Sequence, residues 1–100
     1  MFQRKRRPST PGDILRAHYL SERSVGVTEL ARAIGISRKH MSDIVNGRSR
    51  IEPAIAARLA KVFGTSTALW VNLQAAVDAW DADRAARSWK PAARFPDAAG

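Results

Sequence analysis

Arg38, Lys39, Ser42 and Asp43 fall at i, i+1, i+4 and i+5, so on an α-helix they share one polar face. Two cations, a hydroxyl and a carboxylate in that arrangement can hydrogen-bond the edges of nucleobases, with arginine suited to guanine through its bidentate fork. Thr28, Ser37, Asn46, Arg48 and Arg50 flank the set with donors suited to phosphate oxygens. Arg38, Lys39 and His40 also oppose the helix macrodipole if they occupy a first turn, at a cost of about 0.3–1 kcal/mol for each charge. Stability alone would favour Asp or Glu there, so the basic run points to a polyanionic partner. Asp43 has a competing use as the i+4 partner of Lys39, although lysine before acid is the weaker order for helix pairing. Spacing leaves both uses open.

The elements that must position these side chains are legible in residues 27–47. Leu30, Ala31 and Ile34 share one face of a first short helix, and Gly35 ends it in the left-handed conformation common at helix C-termini. Ile36 returns to the core and Ser37 caps a second helix, whose buried face is Met41, Ile44 and Val45. Two helices joined by a tight turn, with a basic start to the second, make a helix-turn-helix.

Charge narrows the class. The 100-residue chain carries a formal charge of +8, and residues 1–61 hold 13 Lys and Arg against 5 Asp and Glu. The remaining 39 residues hold 4 against 4, so the whole excess lies with the motif, as in a nucleic-acid binder. There is no cysteine, which removes disulfides and thiolate metal sites. His18 and His40 are too far apart for a local metal motif. No nucleophile, base and acid arrangement and no glycine-rich phosphate loop stands out, so neither an enzyme nor a cofactor is expected. With no apolar stretch of membrane-spanning length and no hydrophobic signal core after the basic start, a cytoplasmic protein without membrane contact is expected.

The rest of the chain reads as further helices with no competing strand pattern. Thr10, Pro11 and Asp13 form a helix start, followed by an apolar stripe of Ile14, Leu15, Tyr19 and Leu20, with a loop over residues 21–26. Pro53 opens a helix carrying Ile55, Ala56, Leu59, Ala60 and Phe63, which Gly64 ends. Thr65 or Ser66 caps a last helix with Leu69, Trp70, Leu73, Val77 and Trp80 along one side. A domain of this size has little room to bury two tryptophans on a terminal helix, so these five residues are expected to form a homodimer seam. Residues 1–9 are expected to be a disordered basic arm, residues 10–82 the DNA-binding and dimerisation domain, and residues 83–100 a mobile tail. The run Arg4-Lys5-Arg6-Arg7 is either solvated or enters a minor groove.

The succession Pro11-Gly12-Asp13-Ile14-Leu15, Val27-Thr28-Glu29-Leu30-Ala31, Gly35-Ile36-Ser37-Arg38, Asn46-Gly47-Arg48 and Leu69-Trp70-Val71-Asn72-Leu73-Gln74 resembles the HigA-type antitoxins. Those are Xre/Cro-like, lambda-repressor-like helix-turn-helix proteins. The similarity spans about residues 11–82, and the first and last of these segments are its more specific part. The resemblance implies an all-α, five-helix domain that dimerises, neutralises an mRNA-cleaving toxin of the HigB (RelE-like) kind and represses its own operon at an inverted repeat. Gly26 and Glu52 depart from the family pattern, standing where Ser or Thr usually caps a helix.

Three other readings stay open on the sequence. One is an orphan repressor with the same DNA chemistry and no toxin. Another is an interaction module whose basic face meets an acidic protein. An enzyme is the third, and no residue set supports it.

Overall fold

A computed structural model describes residues 6–21 and 24–96. Five helical elements account for the described residues, and no strand occurs among them: α1 Pro11–Ile14, continued by a π-helical segment Leu15–Ser21, α2 Val27–Ile34, α3 Arg38–Val45, α4 Pro53–Phe63 and α5 Thr67–Ala85. The all-α, five-helix expectation is met.

The start of α1 is a complete capping box. Thr10 Oγ1 accepts the Asp13 N–H at 3.0 Å while Asp13 Oδ2 accepts the Thr10 N–H at 2.9 Å, satisfying two donors that the helix itself leaves unpaired. Beyond Ile14 the α-helix that the sequence suggests widens into π geometry. Its apolar residues give the reason: Ile14 and Tyr19, and likewise Leu15 and Leu20, are five apart. The i→i+5 bonding of a π-helix therefore lets both pairs meet the core.

Gly12 sets how closely α1 approaches α3. A β-carbon there would overlap the Ile44 carbonyl oxygen and stand 2.9 Å from that of Val45, so the position has no room for any side chain. Gly35 ends α2 at φ 75°, where its N–H reaches back to the Ala31 carbonyl at 2.9 Å. Arg58 on α4 donates to the Ile34 carbonyl at 3.0 Å, pinning the same helix end from the next layer.

One apolar cluster joins all the elements. Leu15, Leu30, Met41, Ile44, Leu59 and Trp70 are its largest fully buried members. Trp70 packs at a tilt against Tyr19 and Phe63, both centroid distances being 6.2 Å, and its indole N–H donates to Thr65 Oγ1 at 2.7 Å. Of the residues expected in the dimer seam, Trp70 is 0% exposed and Val77 is 2% exposed within the single chain.

Ahead of residue 10, Pro8 is buried, and Arg7 forks onto Asp81 with Nε and Nη2 each 2.9 Å from a carboxylate oxygen. Arg4 and Lys5 of the basic run lie outside the described residues. At the other end α5 continues to Ala85, and residues 86–96 are exposed and irregular.

Candidate nucleic-acid interface

The turn between α2 and α3 presents the side chains in question. Ser37 caps α3 by accepting the His40 N–H at 3.0 Å, which leaves the first turn of the helix, with Arg38 and Lys39, exposed to solvent. Met41, Ile44 and Val45 bury the opposite side, fixing which face α3 offers.

Arg38 is held from α2. Its Nε–H donates to Thr28 Oγ1 at 2.8 Å, a bond that spans the motif and engages neither terminal nitrogen of the guanidinium. A hydroxyl that accepts one bond can still donate its own proton, so Thr28 keeps a donor for a phosphate oxygen. Lys39 extends into solvent with its side chain 85% exposed, and its Nζ lies 3.0 Å from Asp43 Oδ2.

Asp43 is engaged through both carboxylate oxygens. Its second oxygen accepts from Arg48 Nε at 3.1 Å, so the carboxylate joins Lys39 on α3 to Arg48 in the following loop. The Lys39 ammonium, and then the Arg48 guanidinium, hold its carboxyl below the usual carboxylate range. Its backbone carbonyl takes the Arg48 N–H at 2.8 Å and the Ser49 N–H at 3.2 Å, closing the loop. Of the two uses that spacing allows, the structure shows the pairing one.

Ser42 and Asn46 are also linked. Asn46 Nδ2 donates to the Ser42 carbonyl at 2.9 Å and to Ser42 Oγ at 3.3 Å, ordering the end of α3. Arg50, expected as a phosphate donor, is instead engaged by Glu52 at 2.8 Å and by Asp78 of α5. The two carboxylates hold Nη1 and Nη2 of its guanidinium. The sequence had not singled out Asp78 or Arg58, and Gln74 entered only as the last residue of a family segment; all three support the motif across 23 or more residues of chain.

On α5, Leu69 is 42% exposed while Leu73 and Trp80 are half-buried. Leu69, Leu73 and Ala76 line a groove of about 380 Å³ together with Pro8, Ser9 and Asn72. Among the described residues, no cluster of three or more His, Asp or Glu is placed to hold a metal, and no helix is long and apolar enough to cross a membrane.

A capped basic helix set across a tight turn from another of equal length, with its polar face outward, defines a helix-turn-helix DNA-binding protein. Comparison with known proteins agrees: the helix-turn-helix family model matches residues 23–70. The HTH-type transcriptional regulator YbaQ of Escherichia coli K12, itself uncharacterised, is 39% identical over 95 residues, which is 95% of this chain and 84% of that protein. Antitoxin HigA-1 of Vibrio cholerae is 36% identical over 81% of this chain and 76% of its own length. Pseudomonas aeruginosa antitoxin HigA, solved with the higBA promoter, is 34% identical and superposes with a TM-score of 0.78 over 87% of this chain and 100% of that one. The chain belongs to the Xre-type helix-turn-helix family that contains the HigA antitoxins, a family of DNA-binding regulators and not of enzymes.

Proposed function

We propose that this chain is the antitoxin of a type II toxin–antitoxin system, one that represses its own operon as a dimer and neutralises a HigB/RelE-like mRNA-cleaving toxin. The observation that carries the DNA-binding half is the orientation of Arg38: its Nε is occupied by Thr28, leaving the terminal nitrogens exposed at the start of α3. Helix-turn-helix proteins insert that end of the second helix into the major groove. Arg38, Lys39 and Ser42 then read base edges, while Thr28, Ser37, Asn46 and Arg48 hold phosphates and set the register.

The dimer half rests on α5. Leu69, Leu73 and Trp80, with the groove around Ala76, form an apolar face that the monomer leaves partly uncovered. A two-fold contact there would present two α3 helices about 34–36 Å apart, one DNA turn, matching an inverted repeat. The P. aeruginosa relative solved with its promoter supports the DNA target.

The toxin half rests on the HigA relatives. It is tested by coexpression with the adjacent small reading frame: the expected outcome is rescue of a growth arrest and a copurifying complex. A neighbour that is harmless when expressed alone would leave an orphan repressor, the reading favoured by the likeness to the YbaQ regulator.

A further inference from the structure

The loop that follows α3 is held from behind by α5. Ile51 donates its N–H to Gln74 Oε1 at 3.0 Å, and Gln74 Nε2 donates to Asp78 Oδ1 at 3.0 Å. Asp78 Oδ2 takes one branch of the Arg50 guanidinium, and Glu52 takes the other at 2.8 Å. Gln74 is 7% exposed and is the one buried polar side chain among the described residues, yet both ends of its amide are used. A buried amide bonded at one end to a loop and at the other to a neighbouring side chain fixes their relative position, because breaking either bond strands a desolvated polar group.

Arg50 sits two residues from Arg48, in a basic loop beside the exposed face of α3. An unpaired arginine there would be a phosphate donor. Two carboxylates on its guanidinium assign it other work. Gln74 also adjoins Leu73 in sequence, and Leu73 lines the apolar groove, so one turn of α5 carries both the loop's support and part of the proposed dimer face.

We propose that Arg50, Asp78 and Gln74 form a positioning strut that fixes the loop of residues 48–51 to α5, and that Arg50 serves DNA binding through this strut and not as a phosphate contact. The inference rests on the DNA-binding reading above. It gives Asp78, an acidic residue, a favourable effect on binding a polyanion. A phosphate-contacting Arg50 gives it the opposite sign, since removing Asp78 would then release a cation to the DNA.

The test is fluorescence anisotropy of the full chain on two duplexes of equal length over a salt series. One duplex is selected by the wild type from a random library, and the other is unrelated to it. The variants are Arg50→Ala, Asp78→Asn and their combination, with helical content checked by circular dichroism. Asp78→Asn keeps an oxygen for Gln74 and loses the acceptor for Arg50. The strut predicts that each single variant loses roughly three- to tenfold on the selected duplex and that the double variant loses no more than either. The slope of log affinity against log salt stays at its wild-type value in all three. The strut is overturned if the losses add, or if Asp78→Asn binds as well as or better than the wild type. It is also overturned if Arg50→Ala weakens both duplexes and reduces the slope by about 0.9, the signature of one lost phosphate contact. Gln74→Met supplies a measurement without DNA: amide exchange at Ile51 should accelerate relative to its helical neighbours, and unchanged protection removes Gln74 from the strut. A wild type that selects no duplex overturns the DNA-binding reading and the strut together, whereas selective wild-type binding with additive variants overturns the strut alone.

Discussion

Arg38 on α3 and Thr28 on α2 are joined across the turn of the motif by a single hydrogen bond, Nε–H to Oγ1 at 2.8 Å. The bond restricts a long side chain before any ligand arrives, so less rotamer freedom remains to be lost on binding. It also ties a proposed phosphate contact to a proposed base reader.

Arg38→Ala should therefore cost about 1–3 kcal/mol on the preferred duplex and relax the preference at one base position. Thr28→Val, which removes the hydroxyl at similar volume, should relax the same position by a smaller amount. Affinities for a panel of single-base operator variants check both. Loss of preference at different positions in the two variants would show that Thr28 does not orient Arg38.

Arg48→Ala should behave differently from Arg38→Ala. As a phosphate contact, Arg48 should weaken selected and random duplexes alike and lower the salt slope by about 0.9. Footprinting and salt titration of both variants provide the contrast, and identical behaviour would remove Arg38 as a reader.

Gly12→Ala places a methyl group on the Ile44 carbonyl, where the neighbour is backbone and cannot rotate away. A loss of about 3 kcal/mol or more is expected, enough to unfold a small domain or force α1 away from α3. Thermal melts followed by circular dichroism measure it, and a melt within a few degrees of the wild type would contradict the close approach.

The two tryptophans of α5 should separate core from seam. Trp70→Ala empties a site in the Tyr19 and Phe63 cluster and should cost about 3–5 kcal/mol of stability. Trp80→Ala and Leu73→Asp should instead shift the protein toward monomer with most helical content retained. Sedimentation decides this: a monomeric wild type at micromolar concentration, or a Leu73→Asp protein that remains dimeric, would return this face of α5 to some other role.

Acid sensitivity follows from four carboxylates. The Thr10 backbone N–H holds the Asp13 carboxyl below its ordinary range, as Lys39 does for Asp43, Gln74 for Asp78 and Arg7 for Asp81. Each is lower in the folded than in the unfolded chain. Their stabilisation is therefore fully present above the unfolded value of about 4 and is lost as pH falls through the folded one. Melting temperature should show no loss from these groups between pH 7 and 5 and should fall below about pH 4. Asp13→Asn should melt lower at neutral pH and decline less steeply in acid; an unchanged acid limb would remove the capping box from the explanation.

The motif itself was legible because its signals are local. Leu30, Ala31 and Ile34, then Gly35, Ser37 and the stripe of Met41, Ile44 and Val45 lie within 16 residues and repeat at helical spacing. The last helix was legible as a helix, but its faces were not. Trp70, Gln74 and Val77 turn inward while Leu69, Leu73 and Trp80 lie to one side, and an apolar stripe merges the two sets. Gln74 hides in any hydrophobicity pattern, since a buried amide shows only when the Ile51 N–H that it satisfies is known. Arg50 and Asp78 are 28 residues apart and Arg7 and Asp81 are 74 apart, so neither pairing leaves a trace in local spacing. The π-helical segment was readable in principle from its five-residue repeat, which is easily taken for a loose α-helical stripe.

The central claim is that α3 reads DNA from a two-fold dimer. Its most direct test is footprinting of the wild type on the DNA upstream of its own reading frame, beside a scrambled duplex of the same composition. The account predicts protection of two half-sites in inverted repeat, with centres about 10 bp apart or a multiple of that, at concentrations that leave the scrambled duplex bare. Equal protection of both duplexes, or a single asymmetric site, would contradict it.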